Sequence, residues 1–181
     1  MKYCPECGGL VTRLIPPGDD RLRDVCAQCQ RIHYQNPKLV VGTLPEWQGR
    51  VLLCRRAIAP RADYWTLPAG YLENGETSVE GAKRETREEA GAQLADLEPF
   101  GLFDLPHVNQ IYLMFRARLT SPTFAPGAES LAVALFTEAE IPWDRLAFTV
   151  VAETLQCYFA DRTRGRFCLH TGRIAAGRPL A

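Results

Sequence analysis

The residues of this chain that could do chemistry fall into two groups. The first is Arg84, Glu85, Glu88 and Glu89, in the run Arg84-Glu85-Thr86-Arg87-Glu88-Glu89-Ala90-Gly91. At about 100° per residue on a helix, Glu85, Glu88 and Glu89 fall within one arc of about 100°, with Arg84 at its edge. Three carboxylates on one stripe repel each other and call for compensating positive charge. Arg84 supplies one unit. A divalent cation is the other natural partner, since hard oxygen ligands suit Mg²⁺ or Mn²⁺. The competing reading is an ordinary charged helix face laced with i,i+4 ion pairs. The second group is cysteine. Cys4-Pro5-Glu6-Cys7 and Cys26-Ala27-Gln28-Cys29 are two CxxC turns, and two such turns can close a tetrahedral Zn²⁺ site. A redox dithiol and an iron–sulfur site are the alternatives; the first lacks a surrounding βαβ pattern. Four thiolates leave no open coordination position, so the expected role is structural, and His33 is read as a polar residue at the module's end.

The elements that must position these groups are legible in outline. Asn74-Gly75 signals a turn, and Thr77 with Glu80 has capping-box spacing, so a helix is expected from about Thr77 to Gly91. Its packing stripe is Ala82, Thr86, Val79 and Ala90; Lys83, Arg87 and Glu80 face water. Strands are expected over Lys38–Leu44, Arg50–Arg56, Gln93–Leu102, Gln110–Leu119 and Leu131–Phe136, with a turn over Pro45–Gly49. Alternation puts Ile111, Leu113 and Phe115 on one face and Tyr112, Met114 and Arg116 on the other. Thr137 and Glu140 cap a short helical turn, and an amphipathic helix runs from about Phe148 to Asp161. Trp65 and Leu67 are expected beneath the carboxylate helix. Cys54, Cys157 and Cys168 are read as buried packing residues. Strands mixed with two or three helices, without βαβ periodicity, argue an α+β fold with a mixed sheet. The expected organisation is a cysteine module over residues 1–35, a main domain over 36–162, and a C-terminal tail over 163–181 with no assigned structure.

The totals bound the function. In 181 residues, 21 Lys and Arg balance 21 Asp and Glu, which argues against broad electrostatic binding to nucleic acid or a membrane. No apolar run is long enough to span a bilayer, and Met1-Lys2-Tyr3 leads straight into Cys4 without a leader pattern, so the expected location is the cytoplasm. Seven cysteines, four of them in close pairs, favour metal binding over a disulfide framework.

The carboxylate run is part of a longer pattern. Gly70, Glu76, Arg84-Glu85, Glu88-Glu89 and Gly91, at their spacing, resemble the signature of the Nudix hydrolases, with Thr86 and Ala92 at positions that are usually aliphatic. The resemblance implies an α/β/α sandwich joined to a small Cys4 zinc ribbon. It also implies an enzyme that splits the diphosphate of a nucleoside diphosphate linked to another moiety, using Mg²⁺ or Mn²⁺. It assigns Glu85, Glu88 and Glu89 to metal binding, Gly70 to the same site through its carbonyl, and Arg84 to orienting the carboxylates. Glu129, after Pro126-Gly127, is the candidate catalytic carboxylate outside the signature, on a loop able to swing over the site; His107 is the competing base. Arg55 and Arg56 are candidates for phosphate contact, and His107 and Asn109 for substrate contact. Cys4-Pro5-Glu6-Cys7-Gly8, Ile32 to Lys38, Trp65 to Gly70 and Pro106 to Gln110 are similar to the zinc-ribbon Nudix branch that contains plant FAD and ADP-ribose pyrophosphohydrolases. That branch implies FAD or ADP-ribose as substrate, AMP as a product, and a homodimer. The Ser-Gln-Pro-Trp-Pro-Phe-Pro run of NADH pyrophosphatases is missing, which ranks NADH lower, with dinucleoside polyphosphates below it. A zinc-ribbon protein that binds nucleic acid, or one that senses nucleotides without turnover, is the alternative of another class.

Overall fold

The computed structural model describes residues 1–175. The chain divides into two compact units, Met1–Asn36 and Pro37–Ala181.

In the first unit, strands β1 (Val11–Leu14), β2 (Arg23–Cys26) and β3 (Ile32–His33) form an antiparallel sheet. Its buried apolar residues are Cys4, Val25 and Cys26, too few to hold a fold by themselves. Asp24 is buried beside them and takes the Gln35 Nε2 at 2.7 Å. Cys4 and Cys29 Sγ atoms lie 3.8 Å apart, and those of Cys7 and Cys26 3.4 Å apart. All four sulfurs lie within 4.8 Å of one another. Sulfurs at about 2.3 Å from a tetrahedral zinc would sit about 3.8 Å apart, so the donor set fits that ion. The Cys29 amide leads in pulling the Cys26 thiol down to about 6, toward the thiolate that zinc requires. Zn²⁺ would be held by Cys4, Cys7, Cys26 and Cys29 and would cross-link the two turns.

The second unit is built on one mixed sheet. Its elements are β4 (Lys38–Trp47), β5 (Arg50–Arg56), β6 (Trp65–Thr66), β7 (Ala69–Tyr71), α1 (Ser78–Ala90), β8 (Leu94–Leu105), β9 (Gln110–Leu119), β10 (Ser130–Phe136), α2 (Thr149–Arg164) and β11 (His170–Arg173). The strand order is β10-β5-β4-β9-β8-β11, with β6 on β5 and β7 on β4. β4 runs parallel to β9, and β11 parallel to β8; the remaining pairs are antiparallel. One face packs on α2, where Leu44, Met114, Phe100 and Phe103 meet Val150, Val151, Leu155 and Tyr158. The other face packs on α1, where Val41 and Phe115 meet Ala82. The alternation of β9 therefore sorts Leu113 and Phe115 toward α1, and Tyr112 and Met114 toward α2.

α1 has the expected ends. Thr77 and Glu80 make a reciprocal capping box, and Gly91 closes the helix at φ 60°. Its inward stripe carries a polar pair. The Thr43 hydroxyl meets the Thr86 hydroxyl at 2.7 Å, and Thr86 donates to the Ala82 carbonyl at 2.9 Å, both in fully buried surroundings. Thr86 thus fills a usually aliphatic position without leaving an unpaired hydroxyl.

Several expectations need correction. β4 continues through Pro45 to Trp47, and the turn shrinks to Gln48-Gly49, both at positive φ. That backbone matches the strand twist of a two-residue hairpin and needs no proline. β8 extends to Leu105, and Pro106–Val108 forms a 3-10 turn. Trp65 and Leu67 pack on the α2 side, not beneath α1; Trp65 meets the Phe136 ring edge-on at 4.9 Å. The boundary expected at residue 162 falls inside α2, and β11, beyond it, joins the sheet beside β8. Residues 176–181 of the expected tail lie outside the described residues. Cys54 is buried and Cys157 half-buried, but Cys168 is exposed.

Two outcomes follow from this packing. Thr86→Val strands the Thr43 hydroxyl and should cost about 1–3 kcal/mol in urea unfolding, more than Thr43→Val, because Thr86 keeps its bond to Ala82. The double variant should cost less than the sum of the two. Chelation of zinc should strip amide-exchange protection from β2 while β9 keeps its own; equal protection in β2 with and without chelator would contradict a metal-held first unit.

Candidate active site

The sequence around α1 brings loop, helix and sheet to one place. Gly70 in β7 pairs with Val41 of β4, and its missing side chain matters: a Cβ there would fall on the Glu85 carboxyl group. Glu85 therefore lies directly against the Gly70 backbone. Arg84 organises the acids around it. Its Nη1 donates to Glu85 at 2.6 Å and to Glu88 at 3.0 Å. Its Nε and Nη2 grip both oxygens of Glu76 at 3.0 and 2.8 Å, and Nη2 also reaches the Tyr71 carbonyl at 3.1 Å. This two-pronged contact is the geometry a guanidinium favours. Arg84 holds the Glu76 carboxyl down at about 2, and Glu76 in turn keeps Arg84 charged.

The three carboxylates are not equivalent. Glu88 is about half exposed, whereas Glu85 is mostly covered and Glu89 is buried. Nor do their oxygens gather at one point: Glu85 and Glu88 turn to Arg84, while Glu89 takes the Ala69 amide at 3.3 Å. Burial, reinforced by the Glu85 charge, pushes the Glu89 carboxyl up to about 8. Burial also raises Glu85, against the pull of Arg84. Hard oxygen donors, close like charge and incomplete compensation are the chemistry a divalent cation would answer, and Glu85, Glu88, Glu89 and the Gly70 carbonyl are the donors that could turn to hold one.

Glu129 stands just before β10, and its charge acts on both Glu85 and Glu89. Its loop is tied to the last turn of α1. Ala125 and Gly127 amides donate to the Ala90 and Glu89 carbonyls at 2.9 and 3.0 Å, using acceptors that a helix C-terminus leaves open. A Cβ on Gly127 would collide with the Glu88 carbonyl, so glycine permits this close approach. The Glu129 carbonyl then accepts the Ala57 amide at 2.8 Å.

Arg55 and Arg56, at the end of β5, diverge. Arg55 is drawn to Asp63 at 3.6 Å. Arg56 donates to the Pro60 carbonyl at 2.9 Å, lies over the Phe148 ring at 5.2 Å, and its charge acts on Glu89. His107 and Asn109 sit on the exposed turn at the start of β9. Asn109 is in the left-handed conformation, and its carbonyl accepts the Lys38 amide at 2.9 Å. The nearer link from that turn to the signature loop is Gln110, whose Nε2 donates to the Tyr71 hydroxyl at 2.9 Å. Sequence reasoning missed Tyr112 and Phe148, which line a small cavity with Arg56 and Ala69 beside Glu89. The alternation of β9 toward α2 carried the signal for Tyr112; Phe148 is placed only by tertiary packing.

Comparisons with known proteins identify the family and the fold. Residues 2–35 match the profile described as Nudix N-terminal, a zinc ribbon, and residues 38–155 match the NUDIX domain. The crystal structure of a NUDIX hydrolase from Nitrosomonas europaea is 51% identical, superposes with a TM-score of 0.93, and covers 96% of this chain and 99% of that one. An ADP-ribose pyrophosphatase from Streptococcus suis, 18% identical with a TM-score of 0.61 over 77% of this chain and 100% of its own, shares the fold. The NAD-capped RNA hydrolase NudC of Photobacterium profundum is 28% identical over 162 residues, 86% of this chain and 58% of that protein. The chain thus spans less than two thirds of the length of such curated relatives. No helix among the described residues is long and apolar enough to cross a membrane. With most of its length matched by the NUDIX domain and the remainder of its amino-terminal part by the ribbon that accompanies it, the chain belongs to the Nudix hydrolase family.

Proposed function

We propose that this protein hydrolyses the phosphoanhydride of a nucleoside diphosphate linked to a second moiety, with FAD and ADP-ribose as the preferred substrate class and AMP as a product. The observation that carries this reading is the carboxylate group on α1, with Glu89 buried and short of positive partners. When Mg²⁺ or Mn²⁺ is bound, it neutralises diphosphate oxygens and makes water a better nucleophile. Glu85, Glu88, Glu89 and the Gly70 carbonyl hold it. Arg84 positions Glu85 and Glu88. Glu129, pinned beside the site through its loop, accepts the proton of the attacking water, with His107 as the competing base. Arg55 and Arg56 are the phosphate contacts, and the charge of Arg56 reaches Glu89. His107 and Asn109 contact the outer moiety, and a homodimer completes the substrate walls.

A second reading draws on the names of relatives. The NudC proteins are called NAD-capped RNA hydrolases, so a nicotinamide dinucleotide, free or at an RNA end, is the other substrate to weigh. Substrate choice is checked by incubating the protein with FAD, ADP-ribose, NADH, a diadenosine polyphosphate and an NAD-capped RNA oligonucleotide, each with Mg²⁺ or Mn²⁺, and separating products by chromatography. FAD or ADP-ribose should give the highest kcat/KM. A preference for capped RNA would favour the second reading, and no turnover of any substrate would reject the hydrolase.

Glu89 gives a further expected outcome. The unfolded chain releases this proton near 4.5, whereas the folded chain holds it to about 8. Between those values the folded state binds more protons, so its stability falls as pH rises. With divalent metal chelated, wild-type protein should lose thermal stability from pH 5 to pH 8, and Glu89→Gln should flatten that decline. The same substitution should lower kcat by at least about 100-fold, as expected when a metal-holding carboxylate is lost. Differential scanning calorimetry across pH and steady-state kinetics measure the two effects.

A further inference from the structure

Asp161, Cys168 and His170 lie on the α2 side of the sheet and take no part in the site above. Their ligand atoms form a closed triangle. His170 Nε2 is 2.8 Å from Asp161 Oδ2 and 3.6 Å from Cys168 Sγ, and Cys168 Sγ is 3.7 Å from Asp161 Oδ2. We propose that these three residues form a second zinc site, separate from the ribbon cysteines, that fastens β11 to the end of α2.

The arrangement suits an ion better than a nucleophile. In a Cys-His-Asp relay the acid holds one imidazole nitrogen and the thiol meets the other. Here Asp161 and Cys168 both face Nε2, so all three groups converge instead of forming a line. Around a tetrahedral zinc, with sulfur at about 2.3 Å and nitrogen or oxygen at about 2.0 Å, ligand atoms lie about 3.5 Å apart where sulfur is one of the pair and about 3.3 Å apart otherwise. The two edges to sulfur already have that length. The remaining edge is a hydrogen bond that must open by about half an ångström. One thiolate, one imidazole and one carboxylate are the mixed donor set that zinc accepts, whereas Mg²⁺ prefers oxygen alone.

The surroundings hold the ligands in place. Asp161 is 1% exposed; its Oδ2 accepts the Cys168 amide at 3.1 Å, and Arg164 Nη1 lies 3.7 Å from its Oδ1. The Phe100 ring meets the His170 ring edge-on at 5.1 Å between centroids. Cys168 is exposed and lines a surface cavity of about 170 Å³, which gives an ion a way in. His170 opens β11 and Cys168 lies two residues before it, the spacing that puts side chains on one face where a chain is extended. Asp161 is one turn from the end of α2. An ion shared among them would therefore link the helix to the edge strand, just beyond which Ile174 is buried.

The test compares wild type, Cys168→Ser and His170→Gln, each as the full chain with its ribbon intact. Each protein is loaded with zinc, passed through a weak chelator and measured for bound zinc by mass spectrometry. Wild type should retain one equivalent more than either variant. Added zinc should raise the unfolding temperature of chelated wild type by an increment that both variants lose in part, the residue being the ribbon's share. Ribbon and carboxylate contributions are common to all three proteins, so the differences report this site alone. Equal zinc content in the three, or equal zinc-induced increments, would overturn the proposal. Because Cys168 is exposed, its serine variant is expected to fold, and it decides the matter if His170→Gln does not.

Discussion

The constraint on which the second unit depends is like charge held at close range. Glu76, Glu85, Glu88, Glu89 and Glu129 all act within one neighbourhood, and the arginines whose charge reaches them are Arg84 and Arg56. Arg84 is shared among three of these acids. A guanidinium has enough donors for that geometry, but only one charge. The deficit falls on Glu89, which is buried where water cannot screen it. Bare carboxylates in such a place are unfavourable unless protonated or matched by a cation.

The rest of the fold around α1 can be understood as holding that unfavourable group in place. The capping box and Gly91 fix both ends of the helix. The Thr43–Thr86 hydroxyl pair fixes its inward face to β4, and Ala125 and Gly127 fix its last turn to the loop that carries Glu129. Each contact is modest, worth about 1 kcal/mol for a cap or a hydrogen bond. Together they set the spacing of the acids before any substrate arrives, so that binding does not have to create it. Glycine at 70 and 127 serves the same end: both positions bring backbone against the carboxylate helix where a side chain could not fit.

What the sequence made legible tracks how local the cause was. α1, β5 and β9 could be placed because capping residues and alternation are decided within a few neighbours, and their bounds agree closely with expectation. Pro45, which has no amide to donate, points by itself to a turn; in β4 it is accommodated inside the strand, and the actual turn is set by Gln48-Gly49. Trp65 and Leu67 have the right apolar character, but which side of a sheet they cover depends on β6 pairing with β5, a tertiary fact. The acids of α1 were legible as a group, yet not their inequality. Helical angle puts Glu88 and Glu89 side by side, but tertiary packing turns the Glu89 carboxylate to the Ala69 amide and leaves Glu88 half exposed. β11 and the Asp161–Cys168–His170 triangle were illegible for the same reason: their partners come from α2 and β8.

The same contrast explains why the reaction class is clearer than the substrate. Anhydride chemistry needs acids, a backbone carbonyl and a positioning arginine, all of which sit on one short stretch. Recognition of the outer moiety needs walls. The cavity formed by Arg56, Ala69, Tyr112 and Phe148 measures about 20 Å³, against roughly 300–1,000 Å³ for a pocket that encloses a small molecule. It can seat part of a phosphate or the edge of a ring, with Arg56 supplying charge and Phe148 and Tyr112 a flat apolar surface. It cannot enclose a nucleoside. A nucleoside would need further walls around this cavity. A protein built in this way can keep its carboxylate machinery unchanged while its substrate is set elsewhere.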